Sequence, residues 1–159
     1  MFSQTDEKFM RMALEAARQG IAAGQTPFGA CIVREGRVLA CAHNVVWQQT
    51  DITAHGEINT IRLACRAAGT VDLSGCVIYS TTEPCPMCFS AIHWARIARI
   101  VFGASIADAQ KAGFHELTIS NELMKKEGGS EVAVEGGCLK EECVPLFAEW
   151  RAAGKSKVY

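Results

Sequence analysis

The sequence has no excess of either charge: sixteen Lys and Arg stand against seventeen Asp and Glu, a net charge of −1. No sequence-wide positive field therefore draws the chain to nucleic acid or to an anionic membrane, and the balance favours a small-molecule substrate. No uninterrupted apolar run approaches the roughly eighteen residues a membrane span requires. Ser3-Gln4-Thr5-Asp6-Glu7 is polar and acidic, which is wrong for the start of a secretory signal. Internal repeats and low-complexity linkers are also missing. What the 159 residues do contain is 49% hydrophobic and 21% charged side chains, enough for one sizeable core. The expectation is a single domain over residues 1–159, in the cytoplasm.

Eight cysteines would suggest a disulfide framework in a short secreted chain, but without an export signal a reducing compartment is the expectation. Cys31, Cys41, Cys65 and Cys76 fall among apolar neighbours and read as small hydrophobes. Cys138 and Cys143, beside Gly136-Gly137, read as candidates for exposed thiols. Two cysteines with no His nearby make a poor second zinc site.

Along the chain, Phe9, Met12, Ala13, Ala16 and Ala17 predict a helix from Asp6 to about Gln19, with Thr5 as its cap. Residues 29–34 and 37–42 around Glu35-Gly36 predict an antiparallel hairpin. A helix is predicted over 54–68 with Ile58, Ile61, Cys65 and Ala68 on its buried stripe, then a strand over 76–81. A third helix begins near Pro86, with Ile92 and Ala95 inward, and a strand follows over 99–103. Residues 104–116 read as a loop with a short helical turn, 117–126 as helical, 132–134 as a strand, and 141–153 as a closing helix burying Val144, Phe147 and Trp150. The pattern predicts an α/β layered domain with a mixed sheet, because helical connections imply parallel neighbours while the first hairpin does not.

The chemistry lies in His55-Gly56-Glu57, followed by Pro84-Cys85-Pro86-Met87-Cys88. His55, Cys85 and Cys88 supply one nitrogen and two sulfur ligands, and a tetrahedral zinc so held keeps its fourth position for water or hydroxide. Glu57 is placed to take a proton from that water. Either half alone is weak, since His-x-Glu is common on helix surfaces and Cys-x-x-Cys also reads as a redox pair. Residues two apart on a helix point nearly opposite ways, so His55 and Glu57 can serve one ion only from a first turn. The helix is accordingly predicted to begin at Thr53 to His55. Gly56 costs about 1 kcal/mol there relative to Ala.

The H-x-E and P-C-x-x-C pair resembles the zinc deaminases of the cytidine deaminase superfamily. The resemblance extends from Pro27-Phe28-Gly29-Ala30 through Thr53 to Glu57 and Glu83 to Cys88, and on to Ala91-Ile92-His93-Trp94-Ala95-Arg96. Within that superfamily the chain is most similar to bacterial guanine deaminases, through Ala112-Gly113-Phe114 with an acidic residue soon after and a tail ending in Tyr159. The resemblance implies a three-layer α/β/α sandwich with a mixed five-stranded sheet and one zinc per subunit. It also implies a homodimer, with a C-terminal segment of about residues 141–159 exchanged between subunits. Asn44 would then hydrogen-bond a purine, Phe28 and Trp94 form aromatic walls, Glu116 read the guanine edge, and Tyr159 cover the partner's pocket. His115-Glu116 stands where the guanine-type pattern commonly has Asp, and Gly56 where most relatives carry Ala, which widens the pocket floor.

Taken singly, Asn44 reads as a loop-turning residue, Phe28 and Trp94 as core, Glu116 as a solvated carboxylate and Tyr159 as a frayed terminus. His43, His93 and His115 have no second ligand at sensible spacing and read as structural. The function expected is hydrolytic deamination of guanine to xanthine and ammonia. The alternatives are a tRNA adenosine deaminase, a deaminase of guanosine, a pyrimidine or a triazine, and a non-catalytic zinc-stabilised domain.

Overall fold

A computed structural model describes residues 1–155 and 157–159. Helix α1 (Gln4–Ala22) is followed by the hairpin β1 (Gly29–Arg34) and β2 (Arg37–His43), a short α2 (Val46–Gln49) and α3 (Gly56–Ala68). Then come β3 (Cys76–Thr82), α4 (Pro86–Trp94), β4 (Arg99–Ala104), α5 (Ile106–Lys111), α6 (Asn121–Gly128) and β5 (Ala133–Gly136). The chain closes with α7 (Lys140–Cys143) and α8 (Leu146–Ala152). The sheet order is β2-β1-β3-β4-β5. β1 runs antiparallel to both β2 and β3, whereas β3, β4 and β5 are mutually parallel. The expected mixed five-stranded sheet between helical layers is what forms.

Successive strand residues point to opposite faces, and each face has its own core. Cys31, Tyr79 and Val101 pack with Phe9, Met10 and Leu14 of α1 and with Leu146 and Trp150 of α8. Their neighbours Ile32, Ile78 and Ile100 pack on the other face with Ala64 of α3 and Phe89 and Ile92 of α4. Gly29 permits a close contact between α1 and the sheet, since a Cβ there would lie 2.5 Å from the backbone nitrogen of Ala17.

Local chemistry corrects several expected boundaries. Ser3, not Thr5, caps α1, and Asp6 completes a capping box with it, so the helix starts earlier and runs to Ala22. The deepest residues of α3 are Gly56, Glu57, Thr60 and Ala64, while the predicted stripe of Ile58, Ile61, Cys65 and Ala68 is only half-buried. Pro145 splits the expected closing helix into α7 and α8. Cys138 and Cys143 are buried, not exposed; burial pushes their thiols up to about 11 and about 12, which makes them inert core residues.

The α1 face is tied to the sheet by Asp6, which also accepts from the Tyr79 hydroxyl at 2.9 Å and from Arg99 Nη1 at 2.7 Å. Arg99 in turn meets Glu135 Oε1 at 2.7 Å. Burial acts to raise the Asp6 pKa, but the hydrogen bonds from Arg99, Ser3 and Tyr79 outweigh it and hold the carboxyl well below its ordinary range. Its stabilisation is therefore fully present above about pH 4 and is lost as pH falls toward the folded-state value. Asp6→Asn is expected to lower stability at neutral pH by about 2–3 kcal/mol in urea unfolding, less than a fully buried pair because Arg99 keeps Glu135 and some water. The gap between variant and wild type should close below about pH 4.

Candidate metal centre and active site

Two helix starts build the site. His55 is the N-cap of α3 with extended backbone (φ −63°, ψ 159°), and Cys85 is the N-cap of α4 in the same conformation (φ −64°, ψ 165°). An N-cap is only half inside its helix, so its side chain escapes the helical periodicity. His55 thus faces the same centre as Glu57, two residues on, as the predicted first-turn start requires. Pro86 follows Cys85 at the first helical position, where its missing N–H costs nothing, and Cys88 sits within the first turn.

His55 Nδ1 lies 3.6 Å from Cys85 Sγ and 3.6 Å from Cys88 Sγ, and the three donor atoms lie within 4.8 Å of one another. Ligand bonds of about 2.0–2.1 Å to nitrogen and 2.3 Å to sulfur at tetrahedral angles separate such donors by about 3.6–3.8 Å. The three side chains therefore fit a zinc ion by distance as well as by donor type.

Glu57 is 6% exposed, with Oε2 accepting from the Cys88 thiol at 3.5 Å and Oε1 3.0 Å from the Ser80 hydroxyl. That hydroxyl also lies 2.7 Å from the Thr82 carbonyl. Burial, then the negative charge on Cys85, raises the Glu57 pKa. The two thiols divide their charge unequally. A hydrogen bond from Cys88, aided by His55, pulls Cys85 down to about 4, whereas Cys88, held by Cys85 and buried beside Glu57, is pushed far up. Burial opposes protonation of His55, but Cys85 and Glu57 win and raise it.

Above this centre lies a cavity of about 380 Å³ lined by Ile52, His55, Cys85, Phe114, Glu116 and Tyr159, among others. An inner recess adds Phe28, Glu57, Thr82 and Glu83. Phe28 stacks edge-on against Phe114 at 4.8 Å, so it belongs to both core and site. Asn44 is fully buried, with Oδ1 accepting from the Val46 N–H at 3.0 Å and Nδ2 donating to the Tyr159 hydroxyl at 2.7 Å. It turns the loop and, through Tyr159, joins the lining of the cavity. Glu116 is partly buried, and burial, then Cys85 and Glu57, raises its pKa to about 7.

Tyr159 is not frayed. Its hydroxyl also meets Thr26 Oγ1 at 3.4 Å, and its ring lies 5.6 Å from that of His55 in the same chain. Trp47 steadies the tail by donating to the Lys157 carbonyl at 2.9 Å, with Lys157 Nζ 3.8 Å from its ring centroid. Trp94 is the expected residue that the chain does not bring in. At the end of α4 it is 82% exposed beside His93, away from the residues lining the cavity.

Gly56 also has a different role from the one expected. A Cβ there would lie 3.0 Å from the Phe28 carbonyl oxygen and 3.5 Å from the Asn44 nitrogen. The missing methyl eases the approach of α3 to the chain just before β1, and Gly56 is not among the residues that line the cavity or its inner recess. Ser80, Thr26 and Trp47 escaped the sequence reading. Ser80 opens a run of three hydroxyl residues, Ser80 to Thr82, that ends the strand, and nothing in that run singles it out. A larger groove of about 580 Å³, lined by His93, Arg96 and Ser130 among others, lies at the opposite strand ends and holds none of these groups.

Residues 3–104 match the cytidine and deoxycytidylate deaminase zinc-binding region. Over 154 residues the chain is 38% identical to the guanine deaminase of Bacillus subtilis (strain 168), covering 96% of this chain and 98% of that one. A tRNA-specific adenosine deaminase of the same strain is 36% identical over 138 residues, 87% of this chain and 83% of its own. The solved structure of guanine deaminase from Nitrosomonas europaea superposes with a TM-score of 0.84 at 29% identity, over 96% of this chain and 86% of that one.

Because Cys88 holds its proton in the metal-free chain, zinc uptake at neutral pH is expected to release at least one proton per ion. Calorimetry in buffers of different ionisation enthalpy reads that number, and His55→Ala should abolish tight uptake.

Proposed function

This chain belongs to the cytidine and deoxycytidylate deaminase family, and from that premise we propose that it is a zinc-dependent aminohydrolase converting guanine to xanthine and ammonia. The observation that carries the reading is Glu57, a buried carboxylate of raised pKa held against a converging His, Cys and Cys set. A purely structural zinc site has no use for such a group. Zinc, when bound by His55, Cys85 and Cys88, supplies Lewis-acid chemistry that brings the pKa of a coordinated water to about 7.

Glu57 takes the proton from the attacking water and delivers it to the ring nitrogen next to C2. A second transfer, to the amino group, expels ammonia and leaves the ring carbonyl. A raised pKa suits both tasks, because the group must accept and return a proton near neutrality. Ser80 fixes the rotamer of Glu57 without competing for the centre. The Asn44 amide donates to the purine, Phe28 and Phe114 supply an apolar wall, and Glu116 accepts from the N–H groups of the guanine edge. Tyr159 closes the cavity above His55.

The same reading makes the chain a homodimer. Trp94 and Val71, 82% and 80% exposed, border one surface recess with Asp72, His93 and Arg96. Trp94 reaches a substrate only if a second copy brings it to a cavity. An exchanged tail would make the contacts that Tyr159 makes here within one chain. A cytoplasmic setting suits eight free thiols.

Ammonia release from guanine, guanosine, adenine, cytosine, cytidine and a tRNA anticodon hairpin tests the substrate. Guanine alone should turn over, and turnover of the hairpin instead would sink the guanine reading. Glu57→Ala should keep zinc and fold while losing about 10²–10⁴-fold in kcat. Trp94→Arg should shift the chain from dimer toward monomer in light scattering, and an unchanged mass would remove this face from the interface.

A further inference from the structure

We propose that the Glu83 carboxylate is a positioning group that holds the metal-ligand loop and the Glu116 segment in fixed register. Glu83 lies between Thr82, which ends β3, and Pro84-Cys85, so its backbone belongs to the segment that delivers a metal ligand. Its N–H donates to the Ala104 carbonyl at the end of β4, at 2.8 Å. Its side chain reaches the other way. Oε1 accepts from the Asn121 N–H at 2.9 Å and Oε2 from the Ile106 N–H at 3.2 Å. Those amides open α6 and α5, and between them runs the segment that carries Phe114, His115 and Glu116.

Asn121 returns the contact. It is fully buried, and its Nδ2 donates to the Pro84 carbonyl at 2.6 Å, one residue before Cys85. The side chain of Glu83 thus holds the backbone at Asn121, while the side chain of Asn121 holds the backbone next to Glu83. The segment needs such anchoring, because Leu117, Thr118, Ile119 and Ser120 are all exposed and contribute little core. Upstream of these exposed residues the segment is held by Phe114, packed on Phe28 and Trp150, by Gln110 Nε2 donating to the Glu116 carbonyl at 3.2 Å, and by Arg151 Nη2 of α8 donating to the Ala112 carbonyl at 2.7 Å. A carboxylate that accepts from two backbone amides makes stronger bonds than a neutral acceptor. The one residue thereby fixes where Glu116 stands relative to His55 and Cys85, with which it shares the inner recess. Glu83 acts through Cys85 and Glu116, since both its carboxylate oxygens are taken by the Asn121 and Ile106 amides.

The inference rests on the guanine reading only for its kinetic readout. With guanine, Glu83→Ala is expected to raise KM about tenfold or more, with a smaller fall in kcat and one zinc per chain retained. Amide exchange should rise in peptides that cover 106–121 and stay unchanged in α1 and β1. Glu83→Gln, which keeps one acceptor oxygen and is the milder variant for folding, should release one flank of the segment and raise KM less. A KM unchanged in both variants, with loss confined to the active fraction, would overturn the proposal, as would unaltered exchange across 106–121. If the wild type does not turn guanine over, the substrate reading fails, and exchange together with the spectrum of the cobalt(II)-substituted protein still decides the role of Glu83.

Discussion

The active site depends on two helices starting at one point. α3 and α4 pack on the same face of the sheet, and their first turns meet where β1 begins and β3 ends. Because His55 and Cys85 are both N-caps with extended backbone, their side chains turn away from their own helices and toward each other. Gly56 eases the meeting, since a Cβ there would press on the Phe28 carbonyl at 3.0 Å and need a shift of a few tenths of an ångström. The helix-propensity cost of that glycine is offset by the approach it allows.

The electrostatics follow from this crowding. A thiolate at Cys85, a buried Glu57 and a half-buried Glu116 converge, and each raises the proton affinity of the next. Like charges so close in a medium of low dielectric are costly unless a cation joins them or protons neutralise them. A divalent ion held by His55, Cys85 and Cys88 would remove that repulsion and displace the proton on Cys88. Glu57, its pKa raised by burial and by Cys85, would then stand beside the ion as a group able to accept and return a proton.

The support around the centre is mostly long-range. Ser80 meets Glu57 across 23 positions of sequence, Asn121 reaches Pro84 across 37, and Asn44 meets Tyr159 across 115. The sequence reading singled out Asn44, Glu57 and Tyr159 and gave no role to Ser80, Glu83 or Asn121. A hydroxyl or carboxylate that bonds a backbone amide far along the chain leaves no pattern of residue types. The expected stripe on α3 failed for a related reason: Ile58, Ile61 and Cys65 match helical spacing, yet the helix is rotated to bury Glu57, because the site and not the apolar count fixes its orientation. Ser3 replaced Thr5 as the cap of α1 because the reciprocal bond with Asp6 is available only from Ser3.

By itself the sequence determined the ligand set, the acid beside it, the hairpin and the alternation of strands with helices. Metal coordination demands particular donor atoms at particular spacings, and hydrophobic period follows directly from backbone geometry. Tertiary structure alone decided that Tyr159 lines the cavity beside His55, that Trp94 faces outward, that Cys138 and Cys143 are core, and that Gly56 stands against the Phe28 carbonyl. Each of these depends on what stands opposite a side chain once distant segments have packed. Residue identity carries the chemistry a group can perform, and only the fold supplies its neighbour.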